Sequence, residues 1–161
     1  MPRPWFSCQP VDETFFESAP FVIADTFAIA RPAAQVWADL TADDALHWCK
    51  LVGRLEWTSP RPFGVGTTRT ITALRGANVL HERFFRWEEG RRKSFDVIEA
   101  SAPLFNRFAE DYLVEPDGEA ACRFTWTIAG NPKLPGALAD PVNRRLLGTL
   151  FRDTRRHYGA G

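Results

Sequence analysis

The stretch Asn106 to Gly130, NRFAEDYLVEPDGEAACRFTWTIAG, constrains the fold of this chain more than any other. In its second half Cys122, Phe124, Trp126 and Ile128 alternate with Arg123, Thr125, Thr127 and Ala129, giving one apolar and one polar face. A two-residue period is that of a half-buried antiparallel strand. The acidic segment around Asp117 and Gly118 supplies a tight turn, so the first half reads as the partner strand. On that partner Phe108, Tyr112 and Val114 share a face, and the same period places Glu110 among them. A buried carboxylate must be paired, hydrogen-bonded or protonated, so this misfit points to a cavity.

The rest of the chain reads as further strands with a helical cap. Pro2, Pro4, Pro10 and Pro20 prevent a long element at the start, yet Trp5, Phe6, Phe15 and Phe16 are too apolar for a free tail. Residues 1–20 are therefore expected to be an arm packed on a single domain of residues 21–161. Phe21 to Ala30 reads as the first strand, with Ile23, Phe27 and Ile29 on one face and Asp25 the exception. Pro32 suits the first turn of a helix carrying Val36, Trp37 and Leu40, and Thr41 or Asp43 can cap a second short helix through Leu46 and Trp48. Extended segments follow, RLEWTS, TTRTITAL, VLHERFFRWEE and RRKSFDVIEAS, separated by glycine- and proline-rich turns at the pace of an antiparallel meander. Asp140 as N-cap, Pro141 at the first helical position and the stripe Val142, Leu146, Leu147, Leu150 and Phe151 predict a closing helix over about 140–157, to which Leu134 to Ala139 can add an earlier turn against the low propensity of Pro135 and Gly136.

Several function classes are excluded by composition and spacing. With 20 basic and 20 acidic residues there is no global field to attract nucleic acid. The N-terminus lacks a basic-then-apolar leader, and nowhere do about 18 apolar residues run together, which predicts a cytoplasmic protein without stable membrane insertion. Cys8, Cys49 and Cys122 are scattered and odd in number, so reduced thiols are expected. His47 and Cys49 point apart on a helix, and His81 and His157 have no partners in the sequence; neither a metal nor a cofactor is expected. Gly64-Val65-Gly66 precedes a strand pattern where a phosphate-binding loop needs a helix, and no nucleophile elbow is present.

The pattern in Phe27 to Leu40 (FAIARPAAQVWADL), followed in order by Phe63 to Arg69 (FGVGTTR), Trp87 to Phe95 (WEEGRRKSF) and Cys122 to Thr127 (CRFTWT), resembles the START-like polyketide cyclase/dehydrase and lipid transport superfamily, SRPBCC. The resemblance covers roughly residues 21–157. It implies an α+β helix-grip fold: a curved antiparallel sheet of about seven strands wrapped around a long C-terminal helix, two short helices after the first strand, and a hydrophobic cavity between sheet and helix. Members of that superfamily include lipid carriers, hormone binders and aromatic polyketide cyclases, so the resemblance leaves the chemistry open.

On this reading Phe108, Phe124 and Trp126 are candidate cavity walls, Leu146 and Leu150 their counterparts on the helix, and Glu110 and Tyr112 the polar orienters. In VLHERFFRWEE either face brings charge inward. If Glu82 faces the cavity it meets Glu110, and two carboxylates in an apolar pocket raise at least one pKa, as acid–base catalysis needs. Alternatively Arg83 or Arg107 neutralises Glu110 as a structural ion pair. Three functions follow: binding of a lipid, isoprenoid or aromatic metabolite; a cyclase- or dehydratase-like enzyme using Glu110 and Glu82; or a non-catalytic interaction protein, with the N-terminal arm able to mediate a homodimer. The first requires an internal pocket of roughly 300 Å³ or more.

Overall fold

The computed structural model describes residues 1–161. Seven strands form one antiparallel sheet in the order β2 (Phe21–Ile29), β8 (Cys122–Pro132), β7 (Phe105–Pro116), β6 (Arg92–Ala100), β5 (Asn78–Glu88), β4 (Thr68–Ala73) and β3 (Val52–Trp57). The hairpin of β7 and β8 lies between the β2 edge and the central strand β6. Its register sets Glu110 opposite Ile128, Tyr112 opposite Trp126 and Val114 opposite Phe124, so these side chains share one buried face. Phe27, Phe95, Phe84 and Ile71 continue the apolar face across the sheet.

A long helix, α3 (Gly136–Tyr158), lies against this face through Leu147, Leu150, Phe151, Thr154 and Tyr158. Phe151 meets Trp126 edge-on with ring centroids 5.6 Å apart and Phe27 at 6.2 Å. Polar ties fix its position: Arg155 bonds Asp25 of β2 at 2.6 Å, and Tyr158 donates to Asp39 at 2.9 Å. The shorter helix α2 (Ala33–Thr41) buries Val36, Trp37 and Leu40, as its apolar spacing predicts.

Two local expectations are corrected. Residues 43–48 form turns in place of a second helix, and Leu46 adopts a left-handed backbone, φ 63°, which interrupts helical hydrogen bonding while turning its side chain into the core. Helix α3 begins at Gly136, not Asp140, with Pro135 at the N-cap. Pro141 therefore sits inside it, in the second turn, where it has no N–H to donate to the carbonyl of Ala137. Val142 falls outside the buried stripe: with Leu138 one turn earlier it faces outward, 63% exposed.

Residues 1–20 engage both sides of the sheet. The pairing of β6 with β7 ends at Asp96, and the vacated edge beyond it is taken by β1 (Phe6–Ser7), which pairs with Ala100 and Glu99. Cys8 then bonds Ile98 and Gln9 bonds Asn106, spanning the gap between the two strands. On the convex face α1 (Phe15–Ser18) buries Phe15 against Ala109 and Ala129, a cross-strand pair small enough to admit the ring.

Trp37 joins these layers, since it is 5% exposed, stacks edge-on against Trp87 and donates to Glu89 at 3.0 Å. Replacing it by alanine is expected to destabilise the fold by about 3–5 kcal/mol, measured by denaturant unfolding. A loss below about 1 kcal/mol would show that α2 is not anchored through this ring.

Candidate functional site

The site is built on a charge that an alternating strand pattern carries inward. In β4 Arg69 shares a face with Ile71 and Ala73, and in β5 Glu82 shares a face with Phe84. Register sets Arg69 directly opposite Glu82, and Arg69 Nε donates to Glu82 Oε2 at 2.5 Å with both side chains at most 2% exposed. The guanidinium also lies over the Phe95 ring at 4.4 Å and the Phe84 ring at 5.1 Å, which favours the cation. Burial disfavours charge on Arg69, but Glu82 more than offsets this and its pKa is raised. On Glu82 burial acts upward and Arg69 pulls back, with a net rise. At this separation, and with arginine cationic throughout, the two form an ion pair.

Glu110 reaches the same interior from β7. Trp126 Nε1 donates to its Oε1 at 2.7 Å, a bond between neighbouring strands of the β7–β8 hairpin. Burial, followed by the nearby charge of Glu82, pushes the Glu110 carboxyl up to about 8, against the opposing pull of Trp126 and Arg69. Glu110 is therefore a neutral acid at pH 7, with a proton to donate. Neither expected arginine neutralises it: Arg83 is exposed opposite Asp96, and Arg107 donates to Gln9 at 3.0 Å. Two buried polar atoms beside these groups, Arg69 Nη1 and Tyr112 Oη, have no hydrogen-bond partner of good geometry, and the Arg69 guanidinium lies within reach of the Tyr112 hydroxyl. Burial and the neighbouring Glu110 raise the Tyr112 hydroxyl well above its ordinary value, so it stays a phenol.

Lys93 of β6 is a second inward charge that the sequence reading passed over, as it did Arg69. It is fully buried, surrounded by the rings of Trp37, Trp57, Phe84, Trp87 and Tyr112 at 5.3–5.5 Å, and donates to the Leu40 carbonyl at 2.5 Å. Burial and the Arg69 cation lower its pKa well below the ordinary value. Its bond to the last turn of α2 ties that helix to the sheet. The signal for both residues was present: Arg69 alternates in phase with Ile71, and Lys93 with Phe95 and Val97.

Between sheet and α3 the interior opens in two adjoining parts. The inner part, about 70 Å³ open to water-sized molecules, is bounded by Arg69, Glu82, Glu110, Trp126, Phe108 and Leu150. The outer part, about 90 Å³, is almost wholly apolar, with Phe108 and Leu146 in its wall and Cys8, Leu104 and Phe105 at the arm and the β6–β7 gap. Phe124 and Tyr112 are buried behind these walls and line neither part. The expectation of roughly 300 Å³ enclosed is thus corrected, because the aromatic rings of the concave face fill much of the interior.

A curved antiparallel sheet closed around a C-terminal helix, with a polar cluster in its concave face, defines the helix-grip class of START-like proteins. The chain belongs to the polyketide cyclase/dehydrase and lipid transport family, whose profile matches residues 20–157. An uncharacterized protein of Mycobacterium tuberculosis is 37% identical over 150 residues, covering 91% of this chain and 87% of its own length. Among solved structures, a START superfamily protein from Mycobacterium smegmatis superposes with a TM-score of 0.70 at 12% identity, covering 86% of this chain and 97% of that one. The Zhui aromatase/cyclase of a Streptomyces species does so with a TM-score of 0.63 at 14% identity, covering 84% and 94%. No helix is long and apolar enough to cross a membrane.

The raised Glu110 carboxyl has a measurable consequence. The folded protein retains a proton that the unfolded chain releases above the ordinary value of 4.5, so stability falls as pH rises from there to about 8. The Glu110→Gln variant lacks this loss, and its stability relative to wild type is expected to rise by on the order of 1 kcal/mol per pH unit between pH 5 and pH 8. Urea denaturation of both proteins across that range checks it; parallel profiles would show an ordinary carboxylate.

Proposed function

We propose that the chain binds a small, largely hydrophobic molecule, with its apolar part in the outer chamber and a polar group at the inner cluster. The observation that carries this reading is the unpartnered buried atom Arg69 Nη1 beside a neutral Glu110, both in the wall of the inner part. Buried polar atoms left unsatisfied are costly, and a ligand carbonyl or hydroxyl supplies the missing acceptor or donor. Phe108, Trp126, Leu146 and Leu150 provide the apolar contact. Neither part reaches the roughly 300 Å³ required of a full enclosed site, so that requirement is not met and the reading narrows to a small ligand, or a larger one only partly inserted.

Native mass spectrometry of the gently purified protein, with the denatured mass as control and solvent extraction of bound material, tests this. A stoichiometric excess mass is expected, with the paired change Arg69→Met/Glu82→Gln, which leaves neither charge stranded, lowering retention about tenfold, the scale of one buried hydrogen bond. An empty protein that also shows no change in tryptophan fluorescence with a panel of short alkyl alcohols, ketones and acids would contradict the reading.

A catalytic use of the same cluster is favoured by one feature, the Glu110 proton held near neutrality in reach of the inner chamber. Glu110 would act as general acid or base on the bound molecule, with the Glu82 charge sustaining its raised pKa. For any molecule recovered by extraction, turnover is expected to show a pH limb near 8 and to fall about 10²-fold or more in Glu110→Gln. Turnover unaffected by that change would remove Glu110 from the chemistry.

A further inference from the structure

The outer chamber opens beside a second concavity that the ligand reading leaves unused. This open groove offers about 510 Å³, far more than the chamber, and shares Leu51, Leu74 and Leu146 with it. Its rim is basic: Lys50, Arg75, Arg152 and Arg156 stand around it with a single carboxylate, Asp153. Asp153 is occupied by the backbone amide of Lys50 at 2.9 Å, and none of the four cations is in an ion pair. Four unneutralised cations gathered on a groove that continues an apolar chamber differ from a solvated helix face, where charges of both signs are normally interspersed.

The backbone shows that one of these cations is placed at a cost. Leu74 and Arg75 both adopt left-handed conformations, φ 53° and 54°, in the single 3-10 turn between β4 and β5. Neither residue type favours that region, and two in succession are retained against steric preference. The turn puts Leu74 on the wall shared by chamber and groove, and Arg75 on the basic rim.

From this juxtaposition we infer that the bound molecule also carries an anionic group at the end remote from the inner cluster, a carboxylate or phosphate held in the groove by Arg75, Arg152, Arg156 and Lys50, while its apolar body lies in the outer chamber past Leu51, Leu74 and Leu146. The inference rests on the cavity reading and deepens it. It also accounts for the volumes: the larger, open space takes the hydrated anionic group, and the smaller, dry chamber takes the apolar body. Guanidinium groups suit such heads because they grip two oxygens at once.

The test compares octyl phosphate, octanoate and octanol as monomers, with binding read by tryptophan fluorescence and calorimetry. Octyl phosphate is expected to bind at least about tenfold more tightly than octanol, the scale of one or two charge-assisted contacts at a partly exposed site, and to weaken as salt is raised. The exposed changes Arg75→Gln and Arg152→Gln, checked by unaltered melting temperature, should remove that preference and leave octanol binding unchanged. Equal binding of all three compounds would overturn the anionic head and leave the cavity reading standing. Binding of none would overturn the cavity reading itself. Co-sedimentation with vesicles containing anionic lipid, without binding of monomeric octyl phosphate, would overturn the subsite in favour of attraction to a charged surface.

Discussion

The ion pair of Arg69 and Glu82 is the constraint on which the interior depends. A guanidinium at 1% exposure cannot shed its charge, so the sheet must set a carboxylate against it, and the β4–β5 register does so. Desolvating both charges consumes much of the attraction, and removing either partner alone typically costs about 3–5 kcal/mol because the other is stranded. The aromatic faces of Phe84 and Phe95 soften that cost. The pair fixes the relation of two strands, and its charges condition everything nearby.

Glu110 responds to that field. Its carboxyl sits in an apolar interior next to one existing carboxylate, so ionising it would add a second negative charge to a space with one committed cation. Keeping the proton is the favourable solution, and Trp126 orients the group without requiring the charge. The result is a floor made of an ion pair and a neutral acid, backed by the Tyr112 phenol, with Arg69 Nη1 still able to bond. Such a floor under an apolar chamber can orient a ligand, and the proton on Glu110 is what a catalytic use would draw on.

Alternation made most of the sheet legible. The period in residues 122–129 located β8, its partner phase located Glu110, and the apolar spacing of α2 and the later part of α3 located their buried faces. Element ends were less legible: Pro141 marked a helix start in sequence, but the backbone before it was already helical from Gly136. The turn at Leu46 depends on a left-handed residue that burial of its side chain sustains, which no local propensity announces. In the site, Glu110 was conspicuous because its strand is otherwise apolar. Arg69 lies in TTRTITAL, where threonines blur the contrast between faces, and Lys93 follows two arginines at a turn where exposure is the rule. The volume of the interior was not legible at all, because it depends on how rings such as Phe84, Tyr112 and Trp126 tilt across the concave face.

The most direct measurement of this account is a carboxyl ¹³C NMR titration of the protein with labelled glutamate, with Glu110 assigned by its Gln variant. A midpoint near pH 8 is expected for Glu110, moving higher when Arg69 is replaced by methionine and lower when Glu82 is replaced by glutamine. A midpoint in the ordinary carboxylate range, indifferent to both substitutions, would contradict the buried cluster and the ligand-binding floor built on it.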